Sequence, residues 1–112
     1  MCKENKEIEL KAMEIILHAG DGRLFVMQAL DAIAEDDFQQ AEIYLESAYA
    51  EIQKAHNVQT LVIQGVASGE LEQIYSILFA HAQDTLMTIY SEYNLANKLF
   101  KITESIIRKI QG

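Results

Sequence analysis

Asp84 follows His81 by three residues, and Thr85 and Thr88 follow it by four and seven. Steps of three and four put side chains one turn apart on a helix face. His81, Thr85, Thr88 and Glu92 therefore form one polar line, with Asp84 on the adjoining strip. An imidazole has an unperturbed pKa of about 6.5, so its lone pair is available near neutrality, as a nucleophile or as a metal ligand. As a phosphoryl acceptor it would attack roughly in line through a loose transition state, so the protein's work is positioning and stabilising spread negative charge. With His81 deep inside a helix, no helix N-terminus stands near. The donors would be side chains, with Thr85, Thr88 and Gln59 as candidates. On spacing alone three readings stay open: a bland surface histidine, a transition-metal site using His81 and Asp84, or a phosphoryl acceptor.

The elements that must carry these residues are long helices. The 112-residue chain has no proline, no tryptophan and only five glycines, too few breakers for an all-β fold. Two breaks, Glu35-Asp36-Asp37 and Gly65-Val66-Ala67-Ser68-Gly69, divide it into expected helices over 6–34, 37–65 and 70–111. Asp36, with Gln39 three residues on, suits the N-cap of the second helix, and Ser68 suits that of the third. Phe38, Ala41, Leu45, Ala48, Ile52, Ala55, Val62 and Val66 follow alternating steps of three and four, with Gln59 in the one polar place. On the same scheme Leu10, Met13, Leu17, Gly20, Leu24, Met27 and Ala34 give the seam of the first helix, broken by Asp31. The expected fold is all-α, an elongated up-down-up three-helix bundle. Gly20-Asp21-Gly22 inside the first helix reads as a kink or a close helix contact; no Lys-Ser/Thr follows to make a phosphate loop.

The third helix carries two apolar lines. Leu71, Ile74, Leu78, Leu95, Leu99, Ile102 and Ile106 form one, interrupted by the His81 line; Leu78, Ala82, Leu86, Ile89, Tyr93, Ala96 and Phe100 form the other. One bundle needs a single line, so self-association is expected, a homotrimer burying the second face. Polar groups in the middle of an apolar seam are a local inconsistency of the kind that marks functional sites.

A net charge of −8 and a pI near 4.7 oppose nucleic-acid binding. Such a surface would borrow positive charge from a partner during phosphoryl transfer. Lys98, Lys101, Arg108 and Lys109 read as a solvated face with cations near a helix C-terminus. Cys2 is the one cysteine, so no internal disulfide forms, in keeping with a cytoplasmic protein. There is no secretory h-region and no apolar run long enough to span a membrane.

The segment Phe79-Ala80-His81-Ala82-Gln83-Asp84-Thr85-Leu86-Met87-Thr88 resembles the signature of the lactose/cellobiose-specific IIA family of bacterial sugar phosphotransferase systems, whose usual form is His-Ala-Gln-Asp-His-Leu-Met. Three further stretches resemble that family in the same order. Ile16-Leu17-His18-Ala19-Gly20-Asp21-Gly22-Arg23 is similar to its first-helix segment. Asp36-Asp37-Phe38-Gln39-Gln40-Ala41 is similar to its Gly-Asp-Phe-x-x-Ala turn, with Asp36 in place of glycine. Ala55-His56-Asn57-Val58-Gln59-Thr60-Leu61-Val62-Ile63 is similar to its Ala-His-x-x-Gln-Thr-x-Leu-Ile block. The resemblance runs from about Lys6 to Phe100.

It implies one phosphocarrier domain over 1–112, forming a homotrimer of three-helix bundles. It implies that His81 takes a phosphoryl group from phospho-HPr and passes it to a cysteine of the IIB component. It makes Asp84 a structural Mg²⁺ ligand at the trimer axis, where three carboxylates would otherwise repel. The membrane is then reached only through the IIC permease, where sugar specificity lies. Thr85 departs from the family, which has a second histidine there; threonine donates a hydrogen bond but supplies no positive charge. His18 and His56 keep structural roles, with His56 the nearer of the two to the site. The competing reading is a divergent helical bundle, inactive in phosphotransfer, that serves as a regulatory or assembly module.

Overall fold

The computed structural model describes residues 3–72 and 76–111, with side chains from residue 6 onward. Three helices account for nearly all of them: α1 (Lys3–Ala34), α2 (Phe38–Ser68) and α3 (Ile77–Gln111). They run up, down and up in a rod of 62 × 20 × 18 Å. A 32-residue helix is about 48 Å long at 1.5 Å per residue, so the helices nearly span the molecule.

Small residues let the helices approach closely. Ala12, Ala19 and Ala29 of α1, Ala41, Ala48 and Ala55 of α2, and Ala82 and Ala96 of α3 are all essentially inaccessible. Between them sit the large buried side chains Ile15, Val26, Ile52 and Ile89. Gly22 marks a close approach of α1 to α2: a Cβ there would lie 2.9 Å from Ile52 Cγ1 and 3.4 Å from the Ala48 carbonyl oxygen. The glycine expected to mark a close helix contact does so. The core forms two clusters, one around Val26, Leu45 and Phe100 and one around Ile15, Ile52 and Leu86, and Tyr93 packs against both. Phe38 meets Phe100 edge-on at 5.9 Å between ring centroids and closes one end.

The seam expected for α2 is the buried one, from Ala41 to Val62. The seam expected for α1 is not. Leu10, Met13, Leu17, Gly20, Leu24, Met27 and Ala34 are exposed, and the core face is Ile8, Ala12, Ile15, Ala19, Val26, Ala29 and Ile33. Both stripes fit a helical repeat. Close approach favours the one with the smaller side chains, leaving the bulkier stripe outside. On α3 the second apolar line is buried through Ala82, Leu86, Ile89, Ala96 and Phe100. The first is exposed at Leu95, Leu99, Ile102 and Ile106, while Ile74 of that line lies outside the described residues.

Both helix caps differ from expectation. Asp37, not Asp36, caps α2, its carboxylate accepting from the Gln40 amide at 3.2 Å. Asp36 instead ends α1 with φ 61°, the one described non-glycine residue in the left-handed region. The amides of Asp36 and Asp37 donate to the carbonyls of Ile33 and Ala32 at 3.0 and 2.9 Å, the Schellman pattern in which the left-handed place is usually glycine. Ser68 is the last residue of α2, which stops at the left-handed Gly69, and it does not cap α3. Ser76 does, accepting from the Phe79 amide at 3.0 Å while donating to Glu9 of α1.

Candidate functional site

Because α3 starts at Ile77 rather than Glu70, His81 is its fifth residue. The expectation that no helix N-terminus stands near is therefore overturned. Side chains lean toward the N-terminus of their own helix, so the His81 ring leans over the first turn. Amides left without an intrahelical partner there favour negative charge nearby. Burial of Ala82 and Leu86 sets the rotation of α3 and turns His81, Asp84 and Thr88 to the outside.

The candidates on α3 follow one another along that helix without a hydrogen bond between their side chains, and Gln59 stands apart on α2. The His81 and Thr85 side chains make none with any described residue. The Thr88 hydroxyl donates to the Asp84 carbonyl at 2.9 Å, a bond back into its own helix. Gln59, on α2, is half-buried, and its side-chain oxygen is inaccessible and unpartnered. His56 is exposed; its carbonyl accepts from the Thr60 hydroxyl at 3.0 Å.

Two polar contacts cross between helices. Arg23 of α1 grips Glu92 of α3, with Nε and Nη2 donating to its two carboxylate oxygens at 2.8 and 3.0 Å. The hydrogen bond to Glu92 raises the Arg23 pKa further. This joins the end of the His81 line to the exposed stripe of α1. The second contact lies between α1 and α2. His18 Nδ1 is 3.1 Å from Glu51 Oε1, while Lys54 donates to Glu51 Oε2 at 2.7 Å. Hydrogen bonds from Lys54 first, then His18, hold the Glu51 carboxyl below its ordinary pKa. With Asp21, these groups bring one imidazole and two carboxylates within 4.8 Å of one another, a cluster that could coordinate a metal ion. Tyr93, against Tyr49 and Tyr90, has its pKa raised, mainly by burial.

A family model for the PTS system lactose/cellobiose-specific IIA subunit matches residues 10–104. The chain belongs to this family. It is 37% identical over 102 residues to the lichenan-specific phosphotransferase enzyme IIA component of Bacillus subtilis, covering 91% of this chain and 92% of that protein. Among solved structures, PtcA from S. mutans superposes with a TM-score of 0.85 at 36% identity, covering 93% of this chain and 99% of that one. The cellobiose-specific enzyme IIA from Bacillus anthracis superposes with 0.83 at 30%, covering 97% and 96%.

Membership makes the chain a phosphotransferase component that works as a phosphohistidine carrier. Among the described residues no helix is long and apolar enough to cross a membrane. Neither the Arg23–Glu92 pair nor the role of Glu51 is legible in the sequence. In the sequence Arg23 stands out only as the end of the first-helix segment, and Glu92 only as an interruption of an apolar line. Pairing them needs the relative rotation of α1 and α3, which the misassigned α1 seam hid.

Proposed function

We propose that His81 is the phosphoryl acceptor of this IIA protein, with 1–112 as one phosphocarrier domain. The observation that carries the reading is the exposed imidazole on a rigid α3, one turn from a helix N-terminus, within His81-Ala82-Gln83-Asp84. A lone pair of neutral His81 attacks the phosphorus of phospho-HPr; the new P–N bond forms as the bond to the donor imidazole breaks. A thiolate of the IIB component then attacks the same phosphorus and restores neutral His81. Thr85 donates to a phosphoryl oxygen, and the α3 N-terminus adds a favourable partial charge. The imidazole reaches outward, which favours Nε2 as the acceptor. Thr88 and Gln59 stand behind Thr85 as donors, since the Thr88 hydroxyl is already bonded to its own helix.

The exposed stripes of α1 and α3 support a homotrimer in which this face is covered. Leu10, Met13, Leu17, Leu24 and Met27 lie on one helix, and Leu95, Leu99, Ile102 and Ile106 on the other. An apolar face of this extent marks an association surface. Asp84 is exposed and makes no side-chain ion pair with a described residue, which suits a carboxylate presented to a three-fold axis. Three of them would hold Mg²⁺ with waters, neutralising their repulsion. The protein works in the cytoplasm and reaches the membrane only through the IIC permease, which selects the sugar.

The test is incubation with phosphoenolpyruvate, enzyme I and HPr, followed by intact-mass analysis. An acid-labile gain of one phosphate is expected in the wild type and not in His81→Ala. Absence of labelling in the wild type, or its persistence in His81→Ala, would sink the assignment.

A further inference from the structure

The pairing of α1 and α2 assembles a second chemical group remote in sequence from the His81 segment. We propose that His18, Asp21 and Glu51 form a binding site for a divalent transition-metal ion of the Zn²⁺ class. His18 and Asp21 are three residues apart on α1, so both project from one face a turn apart. Glu51 reaches them from α2, and one ligand atom from each of the three lies within 4.8 Å of the others. The helices are fixed at this level by the Gly22–Ile52 contact and by Ala19 and Ala55 in the same core cluster, so the backbone that carries the donors is set and only their side chains need draw in around an ion.

The division of labour at Glu51 favours a cation. Its side chain is only 16% exposed, and its two oxygens face different partners, Oε1 toward His18 and Oε2 toward Lys54. Lys54 therefore orients the carboxylate from outside while Oε1 remains for a metal. Without a metal His18 Nδ1–H donates to Oε1; an ion bound between them would select the Nε2–H tautomer, which turns the Nδ1 lone pair toward it. Asp21 is exposed and makes no hydrogen bond or ion pair with a described residue. Two carboxylates against the single cation of Lys54 leave the cluster with surplus negative charge.

The donor set selects the metal class. One imidazole and two carboxylates suit Zn²⁺ and similar ions, with a fourth position left to water. The imidazole discriminates against Mg²⁺ and Ca²⁺, which take oxygen ligands. A bound ion would staple α1 to α2.

The experiment is calorimetric titration of Zn²⁺ into chelator-stripped full-length protein, with Mg²⁺ as a second titrant. The His81→Ala/Asp84→Asn double variant removes the donors of the α3 face. One Zn²⁺ per chain is expected in the wild type and in that double variant, with at least about tenfold weaker binding in His18→Ala and Glu51→Gln. Mg²⁺ should not compete. In the ¹⁵N spectrum of the wild type, saturation with Zn²⁺ should shift His18 Nδ1 and leave His81 unmoved. Failure of the wild type to bind, undiminished binding in His18→Ala, or a Zn²⁺-dependent shift at His81 in place of His18 would each overturn the proposal. The phosphotransfer assay reads His81 independently, so the two readings fail separately.

Discussion

Arg23 holds Glu92 through two parallel hydrogen bonds of 2.8 and 3.0 Å, joining α1 to α3 across the face where both carry exposed apolar stripes. Both side chains are over a third exposed in the single chain, and an exposed ion pair contributes less than about 1 kcal/mol. In the proposed trimer the surrounding apolar surface closes, and removing one partner strands a charge, at a cost of roughly 3–5 kcal/mol. Glu92→Ala is therefore expected to move sedimentation from trimer toward monomer, and the apolar pair Arg23→Met/Glu92→Leu to restore the trimer. If Glu92→Ala sediments like the wild type, this face is not the interface.

Asp36 occupies a left-handed place at φ 61° that glycine fills without strain. Its carboxylate also lies at the negative end of α1. Strain of about 1–2 kcal/mol and the unfavourable dipole contact outweigh the extra backbone entropy of glycine, about 0.4–1 kcal/mol. Asp36→Gly should stabilise the fold by roughly 1 kcal/mol in urea unfolding. The neighbouring Asp37→Ala should destabilise it by about as much, through loss of the α2 cap.

How far the sequence discloses this molecule depends on how many stripes a helix offers. α2 has one strong apolar stripe, and that stripe is the core. α1 has two, and the sequence favours the bulkier, because hydrophobicity rewards Leu10 and Met13 over Ala12 and Ala19. Packing reverses that choice, since small residues permit close approach. The surplus line on α3 is visible from spacing because it has a rival line beside it. Local caps fail for a related reason: Asp36 and Asp37 are the same residue type, and only the left-handed turn separates their roles. The His81 segment is legible through its resemblance to the family. Its nearness to a helix N-terminus is not, because nothing in the sequence marked Ser76 above Ser68 as the cap.

The two glycines of Gly20-Asp21-Gly22 should respond oppositely to alanine. A Cβ on Gly22 meets Ile52, itself fully buried, and the rigid Ala48 backbone. Overpacking of this kind costs typically 1–3 kcal/mol, against a helix-propensity gain of about 1. A Cβ on Gly20 meets nothing within 4 Å. Thermal unfolding should show Gly22→Ala melting below the wild type and Gly20→Ala at or above it.

Acid should weaken the α1–α2 contact through Glu51. Its folded-state pKa is lowered, first by Lys54 and then by His18, so the native state binds the proton less tightly than the unfolded chain. The resulting stabilisation is present above the unfolded carboxyl value of about 4.3 and is lost as pH falls through the folded value. Lys54 is mostly exposed, so solvent screening keeps the effect within about 1 kcal/mol. Glu51→Gln should accordingly lower the melting temperature at pH 7, and the gap should close as the pH is taken below the folded value. A gap that persists in acid would assign the loss to packing.

Thr85 and Thr88 both stand in the polar line after His81, yet they should not contribute equally to transfer. The Thr88 hydroxyl is committed to the Asp84 carbonyl at 2.9 Å, whereas the Thr85 hydroxyl makes no hydrogen bond with a described residue and is one turn from His81. A hydrogen bond to a charged phosphoryl group contributes about 1.5–3 kcal/mol, which sets the loss on removing the Thr85 hydroxyl at roughly tenfold or more in rate. Single-turnover transfer from phospho-HPr should therefore slow by at least about tenfold in Thr85→Ala and much less in Thr88→Ala. Thr85→Ser, which keeps the hydroxyl, should recover most of the rate. Equal slowing in the two alanine variants would mean that the Thr88 hydroxyl leaves its own helix during transfer, and that the ordering of donors is wrong.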